Sequence, residues 1–198
     1  MADRYFAPKA ARASWGDYGR ILVHGMSRHL PRDNRLIQLE RTGPFIPPMT
    51  APGIVDVVAT RALRTALEEA GFSGLGFRPV IKKHIVELDW QSWDRSAPEP
   101  AEHPPSGEPE DYILSRPHAT EVAEVLGELW QLWPSHQGRA EQRPEGVTLV
   151  GPSAQGSDFV LAPLGRNDYV LVHERAMNWL AERVGEWIQF KEFRVADA

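Results

Sequence analysis

Residues 54–90 constrain the fold most, because the hydrophobic period changes twice within them. Ile54-Val55-Asp56-Val57-Val58 is extended and apolar. Ala59, Ala62, Leu63, Ala66, Leu67 and Ala70 then recur at the spacing of one helical face, which leaves Arg61, Arg64, Glu68 and Glu69 for solvent. Gly71 stands where a left-handed helix cap is expected, since a residue without Cβ enters that conformation without penalty. Further on, His84, Val86, Leu88 and Trp90 alternate with Ile85, Glu87 and Asp89, the period of a strand. The stretch predicts strand, helix, strand.

A looser copy of this pattern lies near the C-terminus. Tyr169-Val170-Leu171-Val172 is extended, and residues 174–184 carry helical spacing through Ala176, Met177, Leu180, Ala181 and Val184. Gly185 takes the place of Gly71, and Trp187-Ile188-Gln189-Phe190 resumes as a strand. Thr60-Arg61-Ala62-Leu63 matches Glu174-Arg175-Ala176-Met177 locally. The pattern fits a duplicated strand–helix–strand element or two independent ones.

Elsewhere, Arg20-Ile21-Leu22-Val23-His24 and Arg35-Leu36-Ile37-Gln38-Leu39-Glu40 read as strands, the second ended by Gly43-Pro44. Pro47-Pro48 interrupts regular structure. Val122, Val125, Leu126, Leu129, Trp130 and Trp133 predict one more helix, entered from Ser115-Arg116-Pro117 and stopped by Pro134. After a polar loop over 135–146, Val147-Thr148-Leu149-Val150 and Phe159-Val160-Leu161 read as paired strands. The whole predicts a single α+β domain over residues 1–198, with a mixed or antiparallel sheet, two strand–helix–strand units and a further helix. A proline-rich acidic loop at 93–111 either decorates that domain or divides it into two subdomains.

Hydrophobic residues make up 42% and charged residues 25% of 198, enough to bury a core. The formal charge is -5, and without a basic cluster this argues against nucleic acid as a partner. The absence of cysteine excludes disulfides, thiol nucleophiles and thiolate metal sites. No apolar run approaches the ~20 residues that span a bilayer, and the start lacks the apolar core of a secretory signal, so a cytoplasmic protein with no membrane partner is expected.

Motifs for catalysis are weak. Gly71-Phe72-Ser73-Gly74-Leu75-Gly76 reverses the dinucleotide fingerprint and follows a helix instead of opening one. Gly151-Pro152-Ser153-Ala154-Gln155-Gly156 is one residue too long for a nucleophile elbow. The seven histidines form no HExxH, and His24 and His29 are off the i,i+4 register, so neither a metal site nor a cofactor is expected. No catalytic residue is assigned. An unrecognised histidine–carboxylate site would draw on His84, His118, Asp89 and Asp94.

The region after the first unit is richer. Trp90-Gln91-Ser92-Trp93-Asp94 leads into a loop whose prolines, Pro98, Pro100, Pro104, Pro105 and Pro109, stiffen a run of acids. Aromatic anchors beside a charged rim are what protein interfaces use. Asp89, Trp90, Trp93, Asp94, Glu108, Glu110, Asp111 and Tyr112 are therefore the candidate partner-binding residues, on a rigid, anionic, indole-rich face.

The segment from Val57-Val58 through Gly71-Phe72-Ser73-Gly74-Leu75-Gly76-Phe77-Arg78-Pro79-Val80 resembles an element of bacterial immunity proteins encoded beside polymorphic or contact-delivered toxins. That element is a strand, an amphipathic helix and a G-x-x-G-x-x-F-x-P-V-like exit, and residues 170–193 look similar. Some members carry paired CxxC metal motifs, which this cysteine-free chain cannot share. The resemblance implies a cytoplasmic inhibitor that binds a cognate toxin encoded next to it. Two other readings stay open: the enzyme just described, and a structural or regulatory homodimer using Trp130 and Trp133. The oligomeric state is not readable.

Overall fold

A computed structural model describes residues 4–29, 36–144, 146–150 and 156–195. Along the chain come β1 (Tyr5–Ala10), α1 (Asp17–His24), β2 (Met26–His29) and β3 (Ile37–Gly43). Next are β4 (Met49–Thr50), β5 (Val58–Thr60), α2 (Arg61–Glu69), β6 (Phe77–Pro79) and β7 (Ile81–Glu87). Two short helices, α3 (Asp111–Leu114) and α4 (Thr120–Val125), precede β8 (Leu129–Leu132), β9 (Arg139–Arg143), β10 (Gly146–Val150) and β11 (Phe159–Leu164). The series ends with β12 (Asn167–His173), α5 (Glu174–Val184) and β13 (Ile188–Val195). Their three sheets are mixed or antiparallel, and the fold is α+β.

Both amphipathic helices lie where their periodicity puts them. Thr60 caps α2, its Oγ1 accepting the Leu63 amide at 3.3 Å, and the His173 ring caps α5 by accepting the Arg175 amide at 3.2 Å. Gly71 and Gly185 both leave their helices at positive φ, 67° and 66°. The strands around each helix also follow one plan. β5 and β6 run parallel with the antiparallel β8 between them, and β12 and β13 run parallel with β1 between them. Each unit is thus a split crossover completed by a strand from elsewhere in the chain.

The six-stranded sheet, in order β11-β12-β1-β13-β10-β9, rolls until its edges meet. The Leu161 amide donates to the His136 carbonyl and the Gly138 amide to the Leu161 carbonyl, both at 2.8 Å. Its inner face gathers Tyr5, Ala7, Ala140, Leu149, Val160, Ala162 and Leu171, from five of the six strands, with Phe193 of the sixth packed against them. This is the filled interior of a small barrel. The outer face, through Phe6, Phe159, Leu161, Val170, Val172 and Ile188, meets α5, α2 and the four-stranded sheet in the main core.

A carboxylate knot joins the first unit to the barrel. Asp158 takes Arg175 in a fork at 2.8 and 2.6 Å, and accepts both the amide and the hydroxyl of Ser73 at 2.9 Å. Burial pushes its carboxyl up, but the bonds from Arg175 and Ser73 outweigh that and hold it below the usual range.

Several expectations are overturned. Residues 20–24 are not a strand but the end of α1, because an Ile21-Leu22-Val23 triplet fits a strand or a helical turn equally and packing decides. The helix over 122–133 stops at Val125, which is 72% exposed; Gly127 turns the chain at φ 64°, and residues 129–132 become β8 between β5 and β6. The first strand is Val58–Thr60 and not 54–58, with Ile54 71% exposed and Ala59 in the strand. The strand read through Trp90 ends at Glu87, and Trp90–Ser92 is a 3-10 turn. The polar loop over 135–146 contains β9, which pairs with β10, whereas β11 pairs with β12; residues 147–150 and 159–161 are not partners. Residues 151–155 of the elbow-like motif lie outside the described residues.

Arg41 is fully buried and has no carboxylate partner among the described residues. Its guanidinium donates to the carbonyls of Thr42 (2.9 Å), Val23 (3.3 Å) and Phe45 (3.0 Å), and so sits at the negative end of α1. Burial lowers it to about 9. His24 is buried on the same helix and accepts the Ala51 amide on Nδ1 at 3.2 Å. Burial first, then Arg41 and Arg20, push it down to about 3.

His24 is therefore neutral in the fold and takes up a proton when the chain unfolds below its ordinary value of 6.5. Its contribution to stability is complete above that value and falls toward pH 3 at up to about 1.4 kcal/mol per pH unit. Urea unfolding between pH 7.5 and 4.5 should show the wild type losing more stability on acidification than His24→Gln, so that the gap between them narrows. Parallel pH curves would refute the assignment. Asp158→Ala should cost about 1–3 kcal/mol at pH 7, since it removes the buried acceptor of the Ser73 amide and hydroxyl and of the Arg175 fork. A loss below about 1 kcal/mol in the same urea assay would mean that apolar packing alone joins the units.

Candidate partner-binding surface

The loop at 93–111 is a strap fastened over α1. Before that helix, the Trp15 Nε1–H donates to the Ala97 carbonyl at 3.0 Å and the indole tilts against Trp93 at 5.9 Å. One helical turn on, the Tyr18 hydroxyl donates to the Gly107 carbonyl at 2.6 Å, with its ring edge-on to His103 and Tyr112. Tyr112, in α3, donates its hydroxyl to the Glu102 carbonyl. Burial, then the Tyr18 phenol, pushes Tyr112 up to about 12, so it stays a neutral donor. Beneath lie Leu22, Val23 and Trp90, with Phe45 and Trp187 edge-on to Trp90 at 5.5 and 6.1 Å. Arg95 ties the strap to the second unit, pairing with Glu186 at 2.8 Å over the Trp187 ring. Arg116 pairs with Glu102 at 3.3 Å and donates to the Tyr112 carbonyl at 2.9 Å.

This arrangement corrects the expected indole-rich face. Trp90 is 2% exposed and Tyr112 is fully buried, and Trp93 is half-buried between Trp15 and Tyr112. These three build the frame and do not present themselves. Asp89, Asp94, Glu108 and Glu110 are exposed, and Asp111 is half-exposed in the first turn of α3. Asp94 also shapes the strap: the Ser96 hydroxyl (2.6 Å) and amide (2.9 Å) hold its carboxyl below the usual range. The sequence reading does not place Trp15, Tyr18, Arg95, Arg116 and Trp187 at this surface, since their aromatic or cationic character carries no sign of which way they face.

Charge is segregated accordingly. Residues 87–111 hold eight carboxylates and one arginine, which leaves 19 acidic and 21 basic side chains elsewhere. The strap itself, 93–111, has six of these carboxylates and the arginine, and it lies on a body with 21 acidic and 21 basic side chains.

The histidine–carboxylate set is only half assembled. His84 and His118 meet edge-on at 6.1 Å, but His84 Nε2 bonds the Arg116 carbonyl at 2.9 Å and His118 Nδ1 accepts the Ile85 amide at 3.0 Å. Both fasten residues 116–118 to β7, while Asp94 is committed to Ser96. Trp130 and Trp133 are each roofed by an arginine, Arg64 and Arg78, at 3.7 Å from the ring centre. Two of the three glycines of the reversed fingerprint serve close packing: a Cβ on Gly74 would stand 2.2 Å from the Phe159 carbonyl oxygen and one on Gly76 2.3 Å from that of Trp133.

Removing an anchor should free the strap and spare the rest. Tyr112→Ala is expected to raise the rate of limited proteolysis within 94–109 at least about tenfold, with barrel peptides still protected, because it deletes a buried aromatic and its bond to Glu102. An unchanged cleavage rate would show that other contacts hold the strap. Compared with family models, curated proteins and solved structures, the chain matches none.

Proposed function

We propose that this chain is an immunity-type binding protein, resident in the cytoplasm, that neutralises a cognate bacterial toxin by direct contact. The toxin is the product of an adjacent gene. The observation that carries the reading is the charge asymmetry: six carboxylates and a single arginine in 93–111, on a strap whose aromatic side chains face inward. A fixed array of exposed carboxylates attracts a basic protein surface, speeds its encounter and rejects acidic competitors. Because the strap is already tied to α1 and to Glu186, little ordering remains to oppose association. Asp89, Asp94, Glu108, Glu110 and Asp111 supply the contact, and Trp90, Trp93 and Tyr112 set its shape. No helix among the described residues is long and apolar enough to cross a membrane, which accords with this reading.

The test is binding and rescue with the product of the adjacent gene. Wild type should form a complex at or below micromolar concentration and abolish that product's toxicity. Glu108→Lys with Glu110→Lys should slow association and weaken binding at least about tenfold, with the loss shrinking in high salt. Absence of a complex at micromolar concentration, or full binding by the double variant, overturns the proposal.

A further inference from the structure

We propose that the open end of the six-stranded barrel binds a small organic anion with an apolar body, independently of the acidic strap. The packed interior around Tyr5, Leu149, Val160 and Leu171 continues through Ala7, Val147, Tyr169 and Phe193, which pack against it and also line a cavity at this end. That cavity, of about 380 Å³, is lined by Ala7, Lys9, Val147, Tyr169, Lys191 and Phe193 among others. Such a volume is at the lower end of those that take small-molecule ligands.

The inward faces of the strands decide what lines it. Lys191 stands opposite Ala7 in the β1–β13 ladder, and Lys9 opposite Gln189, so the two lysines are diagonal neighbours on one face. Phe193 is two residues beyond Lys191 on that face and tilts against Tyr169 at 5.7 Å. The cavity therefore has an aromatic and aliphatic wall and two ammonium groups at its edge.

Among the described residues no carboxylate pairs with either ammonium group. Lys9 donates to the Ile54 carbonyl at 2.6 Å and lies 5.5 Å from the centre of the Tyr169 ring. Burial, then the charge on Lys191, lowers the pKa of Lys9, and no carboxylate opposes them. The Lys191 ammonium group has no hydrogen-bond or ion-pair partner among the described residues. The carboxylate at the rim, Glu192, is taken by Arg4 at 2.9 Å. Two like charges at the edge of a half-enclosed, apolar cavity repel each other, and an anion between them relieves the repulsion. The ring walls select an anion with an apolar body over a bare inorganic one, since only the former also buries hydrocarbon.

Naphthalene-2-sulfonate is a suitable probe, with naphthalene-2-methanol and inorganic sulfate as its neutral and non-apolar halves. Calorimetric titration of the full chain should give saturable 1:1 binding of the sulfonate, at least about tenfold tighter than either half. Lys191→Gln, at an exposed strand position, should leave the circular dichroism and melting temperature unchanged and weaken binding about tenfold. Lys9→Gln should weaken it as well, while Glu108→Lys should not. The proposal is overturned by no saturable binding up to ~10 mM, by equal binding of the neutral alcohol, or by a Lys191→Gln variant that binds like wild type.

Discussion

The carboxylate of Asp158 is the contact on which the arrangement of this molecule depends. It stands at the entrance to β11 and receives Ser73, from the turn leaving α2, and Arg175, from the first turn of α5. One buried anion thus joins the two split crossovers and the barrel, and it leaves α2 and α5 to share the main core. Apolar burial has no direction, so it fills that core without fixing how the units sit within it. The forked bond from Arg175 supplies that direction. Arg41 plays a related part at α1, where the Val23 carbonyl at the helix end and that of Phe45 take the place of a carboxylate.

The strap depends on a different balance. Acidic side chains lose little by staying in water, and prolines reduce the freedom that the loop would otherwise surrender on folding. Trp15 and Tyr18 on one side and Trp90, Trp93 and Tyr112 on the other give it an apolar floor of its own. Main-chain carbonyls of the strap, those of Ala97, Glu102 and Gly107, are bonded to aromatic donors. A proline-rich segment has few amides to offer, so its carbonyls are the natural handles.

What was legible in the sequence follows from distance along the chain. The helices α2 and α5 were readable because their faces are written within a dozen residues, caps included. β1 was invisible because its partners, β12 and β13, lie more than 150 residues away and its Pro8 reads as a breaker. α1 and β8 were misread because a short apolar run such as Ile21-Leu22-Val23 or Leu129-Trp130 has no period long enough to separate helix from strand. At the candidate surface the carboxylates were legible, since solvated charge is a local property. The direction of the aromatics was not: Trp90 and Asp89 are neighbours in sequence, yet one is core and the other surface.

The inward anchors and outward charges of the strap have a further consequence. A surface whose aromatic fasteners lie beneath it can be rewritten around them without being unfastened. Exchanging Asp89, Glu99, Glu108 or Glu110 for another polar residue touches none of the bonds to Trp15, Tyr18 or Tyr112, and such exposed substitutions usually shift stability by no more than about 0.5 kcal/mol. Variation at these positions is nearly free of any folding penalty, so drift in what the strap displays is uncoupled from the integrity of what it is mounted on.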